Sequence, residues 1–270
     1  MATLRTGGLE LFHEVRGTGD PILGIHGSPS SCAFWEDAAE ALAALGTCVV
    51  YDRRGFGRSA WATPPLTVDL DDHLDDAVAL LAEVGGPAVV IGRSTGGLIA
   101  LALAVKHPRL VRALVLLEPA VFAIHAEAQA WATQLRENVL SRAGDEPGSA
   151  ARTVLELALG PGTWESFPGE VQELFAAGGP GVLAEIRGRG LDLSEQPWLP
   201  SAEELASVSQ PTLVLSGESS YPAALAVDEQ LVSSLPEARH EQVRGGHLID
   251  PAHPAVLRFV TEVIADQPSD

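Results

Sequence analysis

The 270-residue sequence is poor in several residue types, and each shortage excludes a class of protein. It has only two cysteines, Cys32 and Cys48, which are too few for a disulfide framework and show no metal-ligand spacing. Both lie beside apolar residues, so we expect buried, reduced thiols. Lysine and arginine total 17 against 36 acidic residues, a formal net charge of −19. This balance argues against a nucleic-acid partner, because phosphate binding needs clustered basic side chains.

Long apolar runs and cofactor motifs are also absent. No run approaches the roughly 18 apolar residues of a membrane span, and the first residues show no charged-then-apolar leader. We therefore expect a soluble cytoplasmic protein with no membrane partner. There is no HExxH segment, no clustered set of His, Asp and Cys, and no GxGxxG opening a dinucleotide-binding unit, so neither a metal nor an organic cofactor is expected. The hydrophobic content of 46% is ample for a sizeable core.

Short β-forming runs alternate with helical patterns along most of the chain. The β-forming runs fall at 9–15, 21–27, 47–52, 87–92, 111–119 and 211–217. The helical patterns fall at 34–45, 67–84, 95–107, 225–235 and 254–266. This alternation predicts a parallel sheet covered by helices on both faces.

One segment interrupts the alternation. From 121 to 207 the β-forming runs stop, and helical stretches broken by Gly/Pro turns take over. We predict a helical cap subdomain there, inserted into an α/β core formed by 1–120 and 208–270. Such an insertion would lie at the carboxyl edge of the sheet, where α/β proteins bind ligands. Most of its aromatic residues are expected to build a small helical core, with one or two, such as Trp131, lining a pocket.

Ser94 stands in the segment Gly92-x-Ser94-x-Gly96, between a predicted strand and a predicted helix. A serine here could simply cap the helix. The same context is that of a nucleophile elbow, in which a sharp turn holds the hydroxyl clear of the sheet and small neighbours let strand and helix pass closely. We favour the nucleophile, because the rest of the chain supplies its partners.

The partners are a base and a pair of oxyanion donors. His247 lies on a glycine loop that follows a β-run and precedes the last helix, so it is the predicted base. The other histidines fall in strands, on helices or at the cap entrance. The turn after the strand 21–27 can aim the amide of Ser28 at the same space, and the amide of Thr95 at the helix start would be the second donor.

Four motifs carry a resemblance to a known family: HGSPSS (26–31), YDRRGFGRS (51–59), GRSTGG (92–97) and GGH (245–247). In this order, and over nearly the whole chain, the sequence resembles the α/β-hydrolase superfamily, in its serine-nucleophile, capped, esterase- or lactonase-like form. The resemblance implies an α/β fold with an eight-stranded, mostly parallel sheet flanked by helices and a helical cap inserted after strand six. It also implies acyl transfer at Ser94.

The chain departs from the family in the acid of the triad. The family usually places an Asp three residues after the glycine that ends strand seven, and here Ser220 occupies that position. Glu118, at the end of strand six, is the preferred replacement, since some relatives use an acid after that strand. Glu218 is the second candidate, and a Ser–His dyad without an acid is the third.

Arg93, directly before the nucleophile, leaves its role open. Its cation could pair with an acid such as Glu118, it could bind an anionic group of the substrate, or it could form a buried structural ion pair. The predicted function is hydrolysis of an ester, thioester or lactone of a small molecule through an acyl-Ser94 intermediate. The alternatives are a C–C bond hydrolase, lyase or cyclase on the same scaffold, and a non-catalytic small-molecule-binding protein. The oligomeric state cannot be predicted from the sequence.

Overall fold

The computed structural model of the protein describes residues 2–59, 61, 67–143 and 148–266. Its strands are β1 (Ala2–Thr6), β2 (Leu9–Arg16), β3 (Pro21–Ile25), β4 (Thr47–Tyr51), β5 (Ala88–Arg93), β6 (Val111–Leu117), β7 (Thr212–Gly217) and β8 (Ala238–Val243). Its α-helices are α1 (Glu36–Ala43), α2 (Leu70–Val84), α3 (Thr95–Lys106), α4 (Ala126–Ala143), α5 (Gly148–Leu159), α6 (Thr163–Ser166), α7 (Gly169–Ala177), α8 (Gly179–Arg187), α9 (Ala202–Ala206), α10 (Pro222–Ser234) and α11 (Pro254–Ala265).

The strands form one eight-stranded sheet in the order β1-β2-β4-β3-β5-β6-β7-β8. The pairs β1–β2 and β2–β4 are antiparallel, and the pairs from β4 to β8 are parallel. The predicted fold class, a mostly parallel sheet flanked by helices, is confirmed. Strand β1 was not among the predicted runs; it pairs with β2 as a hairpin across the Gly7–Gly8 turn.

Both faces of the sheet are covered, which explains why its central strands are continuously apolar. Helices α2, α3 and α10 pack on one face, and α1 and α11 pack on the other. Helix α3 is buried along its length from Thr95 to Ala104, so it has no polar face. Helix α3, which follows the turn at Ser94, is therefore packed on several sides, and its first turn has little freedom to move.

Between β6 and β7 the described chain is mainly helical, from α4 to α9, with connecting segments of which the longest is the irregular stretch 188–201. The predicted helical insert after strand six is therefore confirmed, whereas the boundaries of a separate cap subdomain stay a prediction. Helix α8 of the insert is tied to the segment before α2, since the Val68 amide donates to the Ala184 carbonyl (2.9 Å) and the Leu70 amide to the Arg189 carbonyl (2.8 Å). None of the helices in the described ranges combines the length and apolar character needed to cross a membrane.

Candidate active site

Ser94 lies in a tight turn between β5 and α3. Its backbone has φ 53° and ψ −122°, a conformation that is costly for a residue with a side chain. The flanking glycines allow the close approach, because a Cβ on Gly92 would lie 2.3 Å from the Gly96 carbonyl oxygen. The strained turn, the glycine spacing and the following helix have the geometry of a nucleophile elbow.

Glu118 is the second strained residue of the site. It follows β6 directly, and its φ is 44°. Within the described ranges, Ser94 and Glu118 are the non-glycine residues with positive φ. Backbone strain of this kind persists where the surrounding structure enforces it, and it concentrates at functional sites. Here both strained residues stand at the carboxyl ends of adjacent strands.

The Glu118 carboxylate is buried and has a partner on each oxygen. Its Oε2 lies 2.6 Å from Nδ1 of His247. Its Oε1 accepts a hydrogen bond from the Gly217 amide at 2.6 Å and another from the Ser220 hydroxyl. Because a carboxylate only accepts hydrogen bonds, His247 Nδ1 carries the proton, which leaves Nε2 as the basic nitrogen.

The structure thus joins His247 to one of the two predicted acids. Glu218 has an exposed side chain, and its backbone amide is bonded to the Val243 carbonyl. Ser220, at the position where the family usually has Asp, supports Glu118 instead of replacing it. This role of Ser220 was not predicted from the sequence. Two features of the sequence together could have indicated it. A hydroxyl residue stands at the position where the family usually has Asp, and a glutamate directly follows β6.

A cavity of about 220 Å³ opens onto Ser94 and His247. Most of its wall is apolar and comes from the helical insert and from loops above the sheet; examples are Trp131, Leu155, Phe175, Val182 and Leu191. The Trp131 ring stacks on Tyr221 at 4.6 Å, and Tyr221 in turn packs edge-on against the His247 ring at 5.1 Å. Trp131 therefore lines the cavity and also packs against Tyr221, whose ring contacts His247.

Of the two predicted oxyanion donors, Ser28 lines this cavity, whereas Thr95 is buried and is not among the lining residues. The Ser28 hydroxyl donates to Glu185 (2.7 Å) and accepts from Arg53, so the side chain is already engaged. Thr95 is the first residue of α3, where the amides of a helix have no intrahelical partner. A Cβ on Gly27 would lie 3.1 Å from the Ser94 Cβ, so the turn that carries Ser28 packs directly on the elbow.

A buried polar network lies beside the Ser28 turn and links the insert to the core. Glu185 of α8 pairs with Arg53 at 2.5 Å and with His73 of α2 at 2.9 Å. Burial alone would raise the pKa of Glu185, but the Arg53 charge and the hydrogen bonds from His73 and Ser28 outweigh it and lower the pKa to about 2. Glu185 is therefore an ionised, fully partnered carboxylate.

Asp192 is a second carboxyl group in the cavity wall. It hydrogen-bonds the Thr95 side chain, and burial together with the nearby Glu185 charge raises the pKa of Asp192 to about 7. Neither Glu185 nor Asp192 was predicted from the sequence to be near the site. They lie in the helical insert, more than 50 residues from every motif, and no spacing rule connects them to Ser94.

Comparison with known proteins finds one fold family and several relatives with hydrolase or esterase names. The family described as the alpha/beta hydrolase fold matches residues 20–250. The hydrolase YraK of Bacillus subtilis is 35% identical over 139 residues, so the chain aligns with about half of that relative's length (51% of each protein). RutD of Azorhizobium caulinodans, named as a candidate carbamate hydrolase, is 27% identical over 93% of both chains. The structure of a thermophilic esterase from Thermogutta terrifontis is similar with a TM-score of 0.71 and 29% identity, over 98% of this chain and 95% of that one.

Proposed function

Because the chain belongs to the α/β-hydrolase fold family, we propose that it is a serine hydrolase of small-molecule esters, thioesters or lactones. Ser94 would be the nucleophile, His247 the base and Glu118 the acid. The observation that carries the proposal is the buried 2.6 Å contact between Glu118 Oε2 and His247 Nδ1, at the same cavity as the strained Ser94. The hydrolase and esterase names of the relatives support the reaction class.

In the first half-reaction, His247 Nε2 takes the proton of the Ser94 hydroxyl as Oγ attacks the carbonyl carbon of the substrate. The Glu118 carboxylate stabilises the imidazolium that forms. The amides of Ser28 and Thr95 would stabilise the negative oxygen of the tetrahedral intermediate. Collapse of that intermediate breaks the C–O or C–S bond, and His247 gives its proton to the leaving alcohol or thiol.

In the second half-reaction, water attacks the acyl-Ser94 ester. His247 takes a proton from this water and returns it to Ser94 Oγ, so a carboxylic acid leaves and the enzyme is restored. A cap over 121–207 would form the roof of the cavity. The apolar wall of the cavity would exclude bulk water and would favour a small acyl or alcohol group.

The test is a pre-steady-state burst assay with p-nitrophenyl acetate and butyrate on four proteins: wild type, Ser94→Ala, Glu118→Gln and Glu218→Gln. We expect turnover by wild type and none by Ser94→Ala. Glu118→Gln should lose roughly 10³- to 10⁴-fold in kcat, as expected when the acid that orients the base is neutralised. Glu218→Gln is the matched control, because it removes the same charge from an exposed side chain.

The outcomes separate the alternatives. A large loss in Glu218→Gln with none in Glu118→Gln would contradict the assigned acid and would keep the hydrolase. Absence of both burst and turnover in wild type would contradict ester hydrolysis. Activity on β-diketones would then support a C–C bond hydrolase, and saturable binding without turnover would support a binding protein.

A further inference from the structure

Arg93 is the last residue of β5, and its side chain lines the same cavity as Ser94. One nitrogen of its guanidinium donates a long hydrogen bond, 3.5 Å, to the Ile249 carbonyl, and the group lies 6.0 Å from the centre of the Trp35 ring. In the described ranges no carboxylate comes within ion-pair distance of it. The neighbouring buried arginines differ, because Arg53 pairs with Glu185 and Arg54 with Asp76.

An arginine in this state is electrostatically unsatisfied. It is half-buried, and removal from water lowers the pKa of Arg93 to about 10, although it stays charged at neutral pH. A buried cation without a partner costs free energy, and a carboxylate that accepts two parallel N–H bonds from the guanidinium offsets that cost best. The fold therefore keeps a cation beside the nucleophile and leaves its forked donors largely unused.

The other charged groups near the cavity do not neutralise Arg93. Glu185 is matched by Arg53, and Glu118 is engaged by His247, Gly217 and Ser220. Asp192, on the cavity wall, is protonated at pH values below about 7. Asp250 acts on Arg93 only through space, from beyond ion-pair distance. Below neutral pH, the positive charge of Arg93 is thus the unmatched charge on the described cavity wall.

Ser30 provides an independent second observation. It lines the same cavity, and its hydroxyl is buried with no hydrogen-bond partner among the described residues. Buried polar groups are nearly always hydrogen-bonded, and a hydroxyl left without a partner at a cavity wall is available to a ligand. Ser30 and Arg93 thus both offer unused hydrogen-bond donors to the same cavity.

We propose that this cavity takes substrates that carry a carboxylate in addition to the scissile ester, and that Arg93 binds that carboxylate. The inference rests on the proposed ester hydrolysis and narrows it to anionic esters. The carboxylate could belong to the acyl part or to the leaving group, because both surround Ser94 during the reaction. Arg93 is then the residue that determines specificity for the charge of the substrate.

The test compares esters that differ only in this charge. On the acyl side, mono-p-nitrophenyl glutarate is paired with its neutral methyl ester. On the leaving-group side, 4-acetoxybenzoate is paired with methyl 4-acetoxybenzoate. The proteins are wild type, Arg93→Gln, Arg93→Lys and the control Arg109→Gln, which removes the same charge from an exposed residue after α3.

For one of the two pairs we expect wild type to prefer the anionic ester at least tenfold in kcat/KM. Arg93→Gln should abolish that preference mainly through KM, and Arg93→Lys should restore part of it, because lysine keeps the charge without the forked geometry. Arg109→Gln should keep the wild-type preference. The pair that responds identifies which side of the ester carries the carboxylate.

Equal ratios of anionic to neutral hydrolysis in wild type and Arg93→Gln would overturn the inference and leave the proposed hydrolase intact. If no ester is hydrolysed, the proposed function fails, and a binding measurement still tests Arg93. Monomethyl glutarate should then raise the Tm of Ser94→Ala more than dimethyl glutarate does, and the difference should vanish in Ser94→Ala/Arg93→Gln. Equal shifts in both proteins would overturn the inference.

Discussion

Ser220 is a hydrogen-bond donor to Glu118, the candidate acid of the triad. It stands where the family usually has the triad acid, and its hydroxyl donates to Oε1 of Glu118 while Oε2 holds His247. The hydroxyl thus shares with the Gly217 amide the task of fixing the carboxylate. Loss of a hydrogen bond to a buried charge leaves that charge less well stabilised and less well oriented.

We therefore expect Ser220→Ala to lower kcat about 10- to 150-fold on p-nitrophenyl butyrate, corresponding to roughly 1.5–3 kcal/mol for one hydrogen bond to a charged group. KM should change little, because Ser220 lies behind Glu118 and not in the cavity wall. Steady-state kinetics of this variant and of Ser233→Ala, an exposed serine of α10, measure the effect. An unchanged kcat in Ser220→Ala would show that the Gly217 amide alone suffices.

Asp192 predicts a dependence of stability on pH. Its pKa is raised from 3.8 to about 7 by burial and by the Glu185 charge, so the folded protein favours the neutral acid. Between about pH 4 and pH 7 the unfolded chain ionises this group while the folded chain keeps it protonated, and the free energy of unfolding falls as pH rises. Asp192→Asn should remove this fall in the free energy of unfolding, because asparagine does not ionise.

Melting curves at pH 4 and pH 8 measure the effect. Asp192→Asn should have a Tm close to that of wild type at pH 4, where both side chains are neutral, and a Tm several degrees higher at pH 8. Asp266→Asn, an exposed residue at the end of α11, is the control and should show no such divergence. A Tm difference that is the same at both pH values would mean that Asp192 does not titrate near neutrality in the folded protein.

At the scale of elements, hydrophobic patterning predicted most of the sheet. The apolar runs of β3 to β7 and the helical patterns on either side appear close to their predicted positions, because a buried parallel strand leaves a continuous apolar signature. Strand β1 was missed, since its burial is low and its place depends on pairing with β2. Pairing between strands is a tertiary property that local patterning does not encode.

The candidate site was predictable to a similar degree. Ser94 and His247 were selected because each stands on a turn with a recognisable local sequence, and both line one cavity. The choice between Glu118 and Glu218 was open, because both follow a strand at the same edge of the sheet. Asp192 could not be inferred at all: its proximity to Thr95 depends on how the helical insert folds back over the sheet.

The elbow between β5 and α3 gives a prediction at this scale. A Cβ on Gly96 would lie 2.1 Å from the Ile25 carbonyl oxygen, so Gly96→Ala forces β3 and α3 apart. We expect a loss of a few kcal/mol in the free energy of unfolding, as for an overpacked core, and loss of esterase activity. Urea denaturation compares it with Gly169→Ala in α7, where the added methyl meets no atom within 4 Å. Similar stability of the two variants would contradict the tight packing of the elbow.

At the scale of the whole molecule, the excess of acidic residues affects the stability of the folded state. A formal net charge of −19 on 270 residues implies repulsion between surface carboxylates in the folded state, and salt screens such repulsion. We expect the Tm at pH 8 to rise by several degrees between about 10 mM and 500 mM NaCl, over which the Debye length falls from about 30 Å to about 4 Å. A Tm that falls with salt would show that the surface ion pairs outweigh the net repulsion.

The ties between α8 and the core have a consequence for how a substrate arrives. Glu185 bonds to Arg53, His73 and Ser28, and the backbone around Val68 and Leu70 is bonded to the same region. Lifting this part of the roof would separate a buried ion pair, which costs several kcal/mol. We therefore expect α8 to stay in place when a substrate enters the cavity. Under the proposed function, monomeric esters should be turned over in preference to oil droplets or micelles, with no rise in activity at a lipid–water interface.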